Sequence, residues 1–193
     1  MEHRQDEELI ADYQTGNEEA LKMLFERYKK PIFNFALRML GNRADAEDVT
    51  SEVFITLVTK KDAYKPTAKF STWIFTVTRN ASISKLRKRK KSFTMWFQKE
   101  DSKDYEQWEV PDNRLPSDNI VKNETKSQLS RAISNLPPEQ REAIILREYH
   151  QMSYDQIKEI MNCSLDKVKI LIYRAREQLR NELPSIISEE DNA

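Results

Sequence analysis

From Leu9 to about Lys30 the apolar residues Leu9, Ile10, Tyr13, Ala20, Leu21, Leu24, Phe25 and Tyr28 recur at the spacing of an amphipathic helix. Gly16-Asn17 marks a break between two helices. Pro31 either kinks the second helix or begins a new one. The pattern resumes with Ile32, Phe33, Phe35, Ala36, Leu37, Met39 and Leu40 and stops at Gly41-Asn42, where a glycine can close a helix in the left-handed conformation. Asp45 to Val58 forms a third helical pattern. Its apolar stripe is Val49, Val53, Phe54, Leu57 and Val58, and its acidic stripe is Asp45, Asp48 and Glu52. Lys60 to Lys69 reads as a loop. Phe70 to about Arg89 reads as a fourth helix, with Phe70, Trp73, Ile74, Val77 and Ala81 on its apolar side.

Periodicity is lost from Ser92 to Thr125, a stretch containing Pro111, Pro116, many acids and the apolar patch Phe93–Phe97. So long a loop inside one compact domain is unusual, and it reads as a partly disordered linker between two domains. Regular spacing returns at Leu129, Ile133 and Leu136. Pro137-Pro138-Glu139 opens the next helix, with Pro138 near its first position. Ser153-Tyr154-Asp155-Gln156 is a capping box. Asn162-Cys163-Ser164 is a short turn, and Ser164 can cap a last helix that runs to about Leu183 before Pro184. The expected fold is all-α: two small helical domains joined by an acidic linker. The expected divisions are 1–95, 96–126 and 127–185, with an acidic tail over 186–193.

Composition supports helices over sheets. Among 193 residues only two are glycine, and 33% are charged. The net charge of zero conceals segregation. Arg79 to Lys91 holds seven basic residues and no acid, Glu100 to Glu124 is mainly acidic, and Glu189 to Asp191 is acidic. A partner touching one face responds to that local field. Cys163 is the one cysteine, so no internal disulfide can form, as suits a reducing compartment. The two histidines, His3 and His150, form no cluster with metal-ligand spacing, and no metal or cofactor is expected. No apolar run approaches the roughly 18 residues of a membrane span, and the N-terminal residues do not have the form of a signal peptide. A cytoplasmic protein without membrane insertion is expected. No nucleophile, base and metal constellation stands out, so neither an enzyme nor a small-molecule substrate is expected.

Ser153 to Arg180 carries the most specific pattern, a short amphipathic helix, a tight turn and a longer helix, as in a helix-turn-helix. On the second helix Val168, Ile172, Ala175 and Leu179 form the stripe that would pack on the core. Lys167, Ile170, Leu171 and Arg174 lie on another side, flanked by Lys169, Tyr173, Arg176 and Arg180. Cations there can reach phosphates or guanine edges, and Ile or Leu can pack on thymine methyls. An ordinary helical hairpin with a solvated basic face would show a similar pattern.

Several blocks resemble the extracytoplasmic-function (ECF) sigma factors, the small subunits that direct bacterial RNA polymerase to promoters. Leu136 to Ala143, Met152 to Ile157, Val168-Lys169 and Tyr173 to Arg176 resemble the domain that reads the promoter −35 element. Arg38 to Asn42, Asp45 to Val49, Glu52 to Phe54, Lys69 to Ile74, Arg79-Asn80 and Leu86 to Arg89 resemble the domain that binds polymerase and reads the −10 element. The resemblance implies that Asp45, Glu47, Asp48 and Glu52 dock on the coiled-coil clamp helices of the polymerase large subunit, beside Val49 and Phe54. It implies that the Lys60–Lys69 loop helps to take a base extruded from the −10 element, with Lys69, Phe70, Asn80 and Ser84 near the base and Arg79, Arg87 and Lys88 on phosphates. At −35 it implies Ser164, Lys167, Lys169, Ile170, Leu171, Tyr173, Arg174 and Arg176. The implied partners are core RNA polymerase, including the flap of its second-largest subunit, promoter DNA and an anti-sigma factor. The chain departs from the family's common pattern at Ser84, Asp166-Lys167 and Leu171, so the role carries over and the promoter sequence does not. The alternative is a free-standing helix-turn-helix regulator.

Overall fold

A computed structural model describes the backbone of residues 4–97 and 120–183, and every regular element among them is helical. The chain divides into two units, Met1–Tyr105 and Glu106–Ala193. The central part of the acidic linker, the Pro184 stop and the acidic tail lie outside the described residues, as do the side chains of Lys90, Lys91, Trp96 and Phe97.

In the N-terminal unit, α1 (Asp6–Gln14), α2 (Glu18–Leu40), α3 (Arg43–Thr59) and α4 (Phe70–Phe97) enclose one core. The break at Gly16-Asn17 is present. Gly16 takes φ 109°, and the Asn17 side chain accepts the N–H groups of Glu19 and Ala20 to cap α2. No new helix begins at Pro31, because α2 runs through it. Its buried stripe Ala20, Leu24, Tyr28, Ile32, Phe35, Ala36 and Met39 keeps one face before and after the proline, and this packing offsets the lost backbone bond. Gly41 closes α2 at φ 68°, donating its N–H to Leu37 O at 2.9 Å. Asn42 immediately caps α3 by accepting Asp45 N–H at 2.9 Å. Two long helices are thereby joined by a minimal turn.

Two expectations for this unit are corrected. Val58 belongs to no buried stripe, being 51% exposed. The inner face of α4 is Phe70, Ile74, Thr78 and Ser82, joined by Phe75 and Thr72, whereas Trp73, Val77 and Ala81 are only half-buried. The cause is local. Thr78 and Ser82 donate their hydroxyls to the carbonyls four residues back, Ile74 O at 2.8 Å and Thr78 O at 2.9 Å, and so enter the core as small side chains with their donors satisfied. The helix also continues to Phe97, beyond the expected loss of pattern at Ser92, over a stretch containing neither glycine nor proline.

In the C-terminal unit, α5 (Ile120–Asn135) begins before the expected Leu129. Then follow α6 (Pro138–Ile144), a π-helical turn (Ile145–Tyr149), α7 (Tyr154–Met161) and α8 (Leu165–Glu182). Pro138 opens α6 as expected. The π turn was not foreseen. Its wider winding accompanies an uninterrupted buried run, Ala143, Ile144, Ile145 and Leu146, that an ordinary helix would spread around its circumference. The guanidinium of Arg141 is buried and reaches back to the carbonyls of Ser134 and Leu136, tying the end of α5 to the double-proline turn. Burial pulls its pKa below the ordinary arginine value. The capping box at Ser153 is formed in both directions, with Gln156 N–H donating to Ser153 Oγ at 3.2 Å and Ser153 N–H to Gln156 Oε1 at 3.0 Å. Asn162 turns the chain at φ 50°, and Ser164 Oγ accepts Lys167 N–H at 3.2 Å to start α8.

Candidate nucleic-acid interface

The acidic stripe lies on α3. Glu47, Asp48 and Glu52 are exposed and Asp45 is partly buried. The sequence missed their partner. Lys85 of α4 bridges two of the carboxylates, at 2.8 Å from Asp48 and 3.3 Å from Asp45. The hydrogen bond to Asp48, reinforced by Asp45, raises the lysine pKa above its ordinary value. Glu47 is engaged by Arg43 at 2.8 Å. Val49 and Phe54, expected beside the stripe, are buried. The apolar residues that reach the surface there are Ile55 and Val58, at 60% and 51% exposure. Ile55 lies one turn beyond Glu52 on the same face.

Along α4, Asn80, Ser84, Arg87 and Lys88 are all exposed and fall at i, i+4, i+7 and i+8, one continuous face. Arg79 is half-buried at its edge. Phe70 was expected near a base, and here the structure corrects the assignment. The residue is fully buried, ring to ring with Tyr28 and Tyr64 at 5.4 Å each, and cannot meet DNA. Trp73 stacks on Phe70 at 5.7 Å and is itself only half-buried, in line with Asn80 and Ser84 along the helix. It is the aromatic group of this face that reaches the surface. Lys69, exposed, stands just before α4 and accepts the Trp73 N–H on its carbonyl at 3.1 Å.

On α8, Val168, Ile172 and Ala175 are buried as expected. Leu171, expected to face DNA, is only 7% exposed and belongs to that core face. One step of α-helix separates it from Ile172, so a wide buried face takes in both. Ser164, Lys167, Lys169, Ile170, Tyr173, Arg174 and Arg176 are exposed, Ile170 and Tyr173 strongly so. Three of the cations meet carboxylates: Lys167 with Glu139 of α6 at 2.9 Å, Lys169 with Asp166 at 3.7 Å, and Arg176 with Glu148 of the π turn at 2.7 Å. The bond to Glu148 raises the Arg176 pKa. Arg174 has no ion pair among the described residues. Among the described residues no group of three His, Cys, Asp or Glu could hold a metal, and no helix is long and apolar enough to cross a membrane.

One unit thus presents a helix with a polar, aromatic and basic face, and the other a helix-turn-helix arrangement. Comparison with known proteins places the chain in a family. Residues 24–92 match Sigma-70 region 2 and residues 126–179 match Sigma-70, region 4. The ECF RNA polymerase sigma factor SigW of Bacillus subtilis is 31% identical over 176 residues, covering 90% of this chain and 94% of that protein. The RNA polymerase sigma-H factor of Pseudomonas aeruginosa is 26% identical, covering 98% of this chain and 99% of the relative. The sigma factor RpoE from Bartonella quintana, solved in complex with the anti-sigma factor NepR, has a TM-score of 0.69 at 22% identity over 85% of this chain and 96% of that one. CnrH, solved with the cytosolic domain of CnrY, has a TM-score of 0.68 at 19% identity over 93% of this chain and 97% of that one. The chain belongs to the ECF family of RNA polymerase sigma factors, which are transcription-initiation factors.

Proposed function

We propose that this sigma factor binds core RNA polymerase through the α3 stripe and reads two promoter elements with the two surfaces described above. Asp45, Glu47, Asp48 and Glu52, with Ile55 and Val58 beside them, meet the clamp helices of the large subunit. A negative stripe with exposed apolar neighbours suits a basic, partly apolar helical partner. Trp73, Asn80 and Ser84 face the opened −10 element, Lys69 and the preceding loop take an extruded base, and Arg79, Arg87 and Lys88 hold phosphates. An aromatic surface bordered by cations is what single-stranded DNA requires. Phe70 supports this face from inside. Lys167, Ile170 and Arg174 enter the major groove of the −35 element, while Lys169, Tyr173, Arg176 and the cap at Ser164 lie along the backbone. The flap of the second-largest subunit is the partner proposed for the C-terminal domain, and an anti-sigma factor is a further one. The protein acts in the cytoplasm without catalysis of its own. The domains proposed are 1–95 and 127–185, with the linker and tail between and after them.

The single observation that carries this reading is the acidic stripe and the basic reading face held on adjacent packed helices, α3 and α4. A free-standing regulator needs only the helix-turn-helix. Asp48→Lys tests the docking. Its side chain is 68% exposed, so the fold should hold, with a small drop in melting temperature from the lost bridge to Lys85. Affinity for core polymerase should fall at least about 30-fold, the equivalent of about 2 kcal/mol. Unchanged affinity would take the stripe out of the interface, and a sharp footprint on duplex DNA without polymerase would favour the regulator.

A further inference from the structure

Helix α1 carries none of the residues assigned above, and it lies ahead of the residues matched by Sigma-70 region 2, which begin at 24. Yet it is bonded on either side of the second half of the Lys60–Lys69 loop proposed to take a base, at Tyr64 within it and at Phe70 just beyond it. Glu7 Oε1 accepts the N–H of Phe70 at 3.0 Å across 63 residues of sequence. Phe70 is the first residue of α4, where backbone N–H groups have no partner within the helix, and a carboxylate there also meets the positive end of the helix dipole. Gln14 donates its side-chain N–H to Tyr64 O at 3.1 Å. Glu7 and Gln14 are two turns apart, so one side of a rigid rod presents both groups, about 10 Å apart along its axis.

Tyr64 and Phe70 are the feet of that second half, which follows a short 3-10 turn at Lys61–Ala63. Both are buried, with their rings 5.4 Å apart. Between them Lys65, Pro66, Thr67 and Lys69 stand exposed and Ala68 is half-buried, so the span has no core of its own. The Tyr64 hydroxyl donates to Ala68 O at 2.9 Å and folds the span back over its foot. Burial, helped by Glu7 and Asp6, pushes the Tyr64 phenol pKa upward. The rod is itself fixed. Leu9, Ile10 and Tyr13 are buried, and Asp6 accepts from Arg27 and from the Tyr28 hydroxyl on α2.

We propose that α1 is a brace for the capture loop, with Glu7 and Gln14 as positioning residues that hold its feet at a fixed separation and so set selectivity for the −10 base. The inference rests on the base-capture reading above. A loop ordered before binding loses less freedom when it closes on a base and tolerates a misfitting one less well. Neither residue touches DNA.

The test uses the full chain assembled with core polymerase and presented with a library of promoter fragments randomised over both elements. The wild type should enrich one base at the extruded −10 position by about tenfold or more. Glu7→Ala with Gln14→Ala should reduce that preference to about twofold, while −35 preference and core affinity stay as they were. Glu7→Gln keeps an acceptor for the Phe70 N–H and should restore most of the selectivity when Gln14 is intact. A double variant that melts lower but selects the −10 base as the wild type does would overturn the brace alone. A wild type indifferent to that base would overturn the capture reading and the brace together.

Discussion

In the N-terminal unit Arg87 and Lys88 stand on α4 with no ion pair among the described residues, whereas in the C-terminal unit Lys167, Lys169 and Arg176 on α8 each lie against a carboxylate. At Arg87 and Lys88 the first surface has positive charge available before any phosphate arrives. The second must exchange a carboxylate for a phosphate at each of those cations. Exposed ion pairs are individually weak, about 0–1 kcal/mol, so the exchange is possible. Its effect is to reduce what each new contact adds. Charge count already favours α4, with seven cations and no acid against five cations and three acids on α8, and the pairing widens the gap.

Three variants would break or sharpen that contrast. The largest effect is expected from Lys167→Ala with Arg174→Ala. Loss of two base-edge donors should lower −35-dependent transcription by at least about tenfold with core binding kept. A promoter insensitive to the pair would show that another face of α8 reads the element. Next, Arg87→Ala with Lys88→Ala should flatten the dependence of promoter binding on salt, the log–log slope falling by about two for two lost phosphate contacts. An unchanged slope would mean that these unpaired cations are merely solvated. The smallest change is Glu148→Gln, which frees Arg176 and should tighten binding to a −35 duplex by about twofold. If binding weakens instead, Glu148 orients Arg176 for DNA, and the supposed competitor is a support.

Much of the fold could be read in advance, because its signals are local. Asn17, Gly41, Asn42, Ser153 and Ser164 act at helix ends on residues within four positions, and each is where the sequence puts it. The helix-turn-helix follows for the same reason. What escaped reading depends on the tertiary partner. Thr78 and Ser82 look polar in sequence but bury their hydroxyls on their own helix, which rotates α4 relative to its apolar count. Phe70 and Leu171 look available for DNA until their neighbours close over them. The Lys85 pairing and the Glu7 contact join residues far apart in sequence, and neither has a periodic signature. The candidate site was therefore legible as a set of helix faces, and which side chains on each face reach the surface was not.

The two non-glycine residues with left-handed backbone among those described are Gln151 and Asn162, at φ 51° and 50°. They stand on either side of α7, the first helix of the helix-turn-helix. Most side chains other than glycine resist that conformation by about 1 kcal/mol or more, so the bend at Gln151 must be held by its surroundings, whereas asparagine adopts it readily and Asn162 caps the end of α7. At the first bend Arg147 donates to Met152 O at 2.9 Å and lies over the Tyr154 ring, and at the second the Asn162 and Cys163 N–H groups return to the end of α7. Viewed mechanically, α7 is a short strut with a sprung joint at Gln151 and a ready-made elbow at Asn162. Its length and its angle to α8 are set by these two bends as well as by the core beneath them.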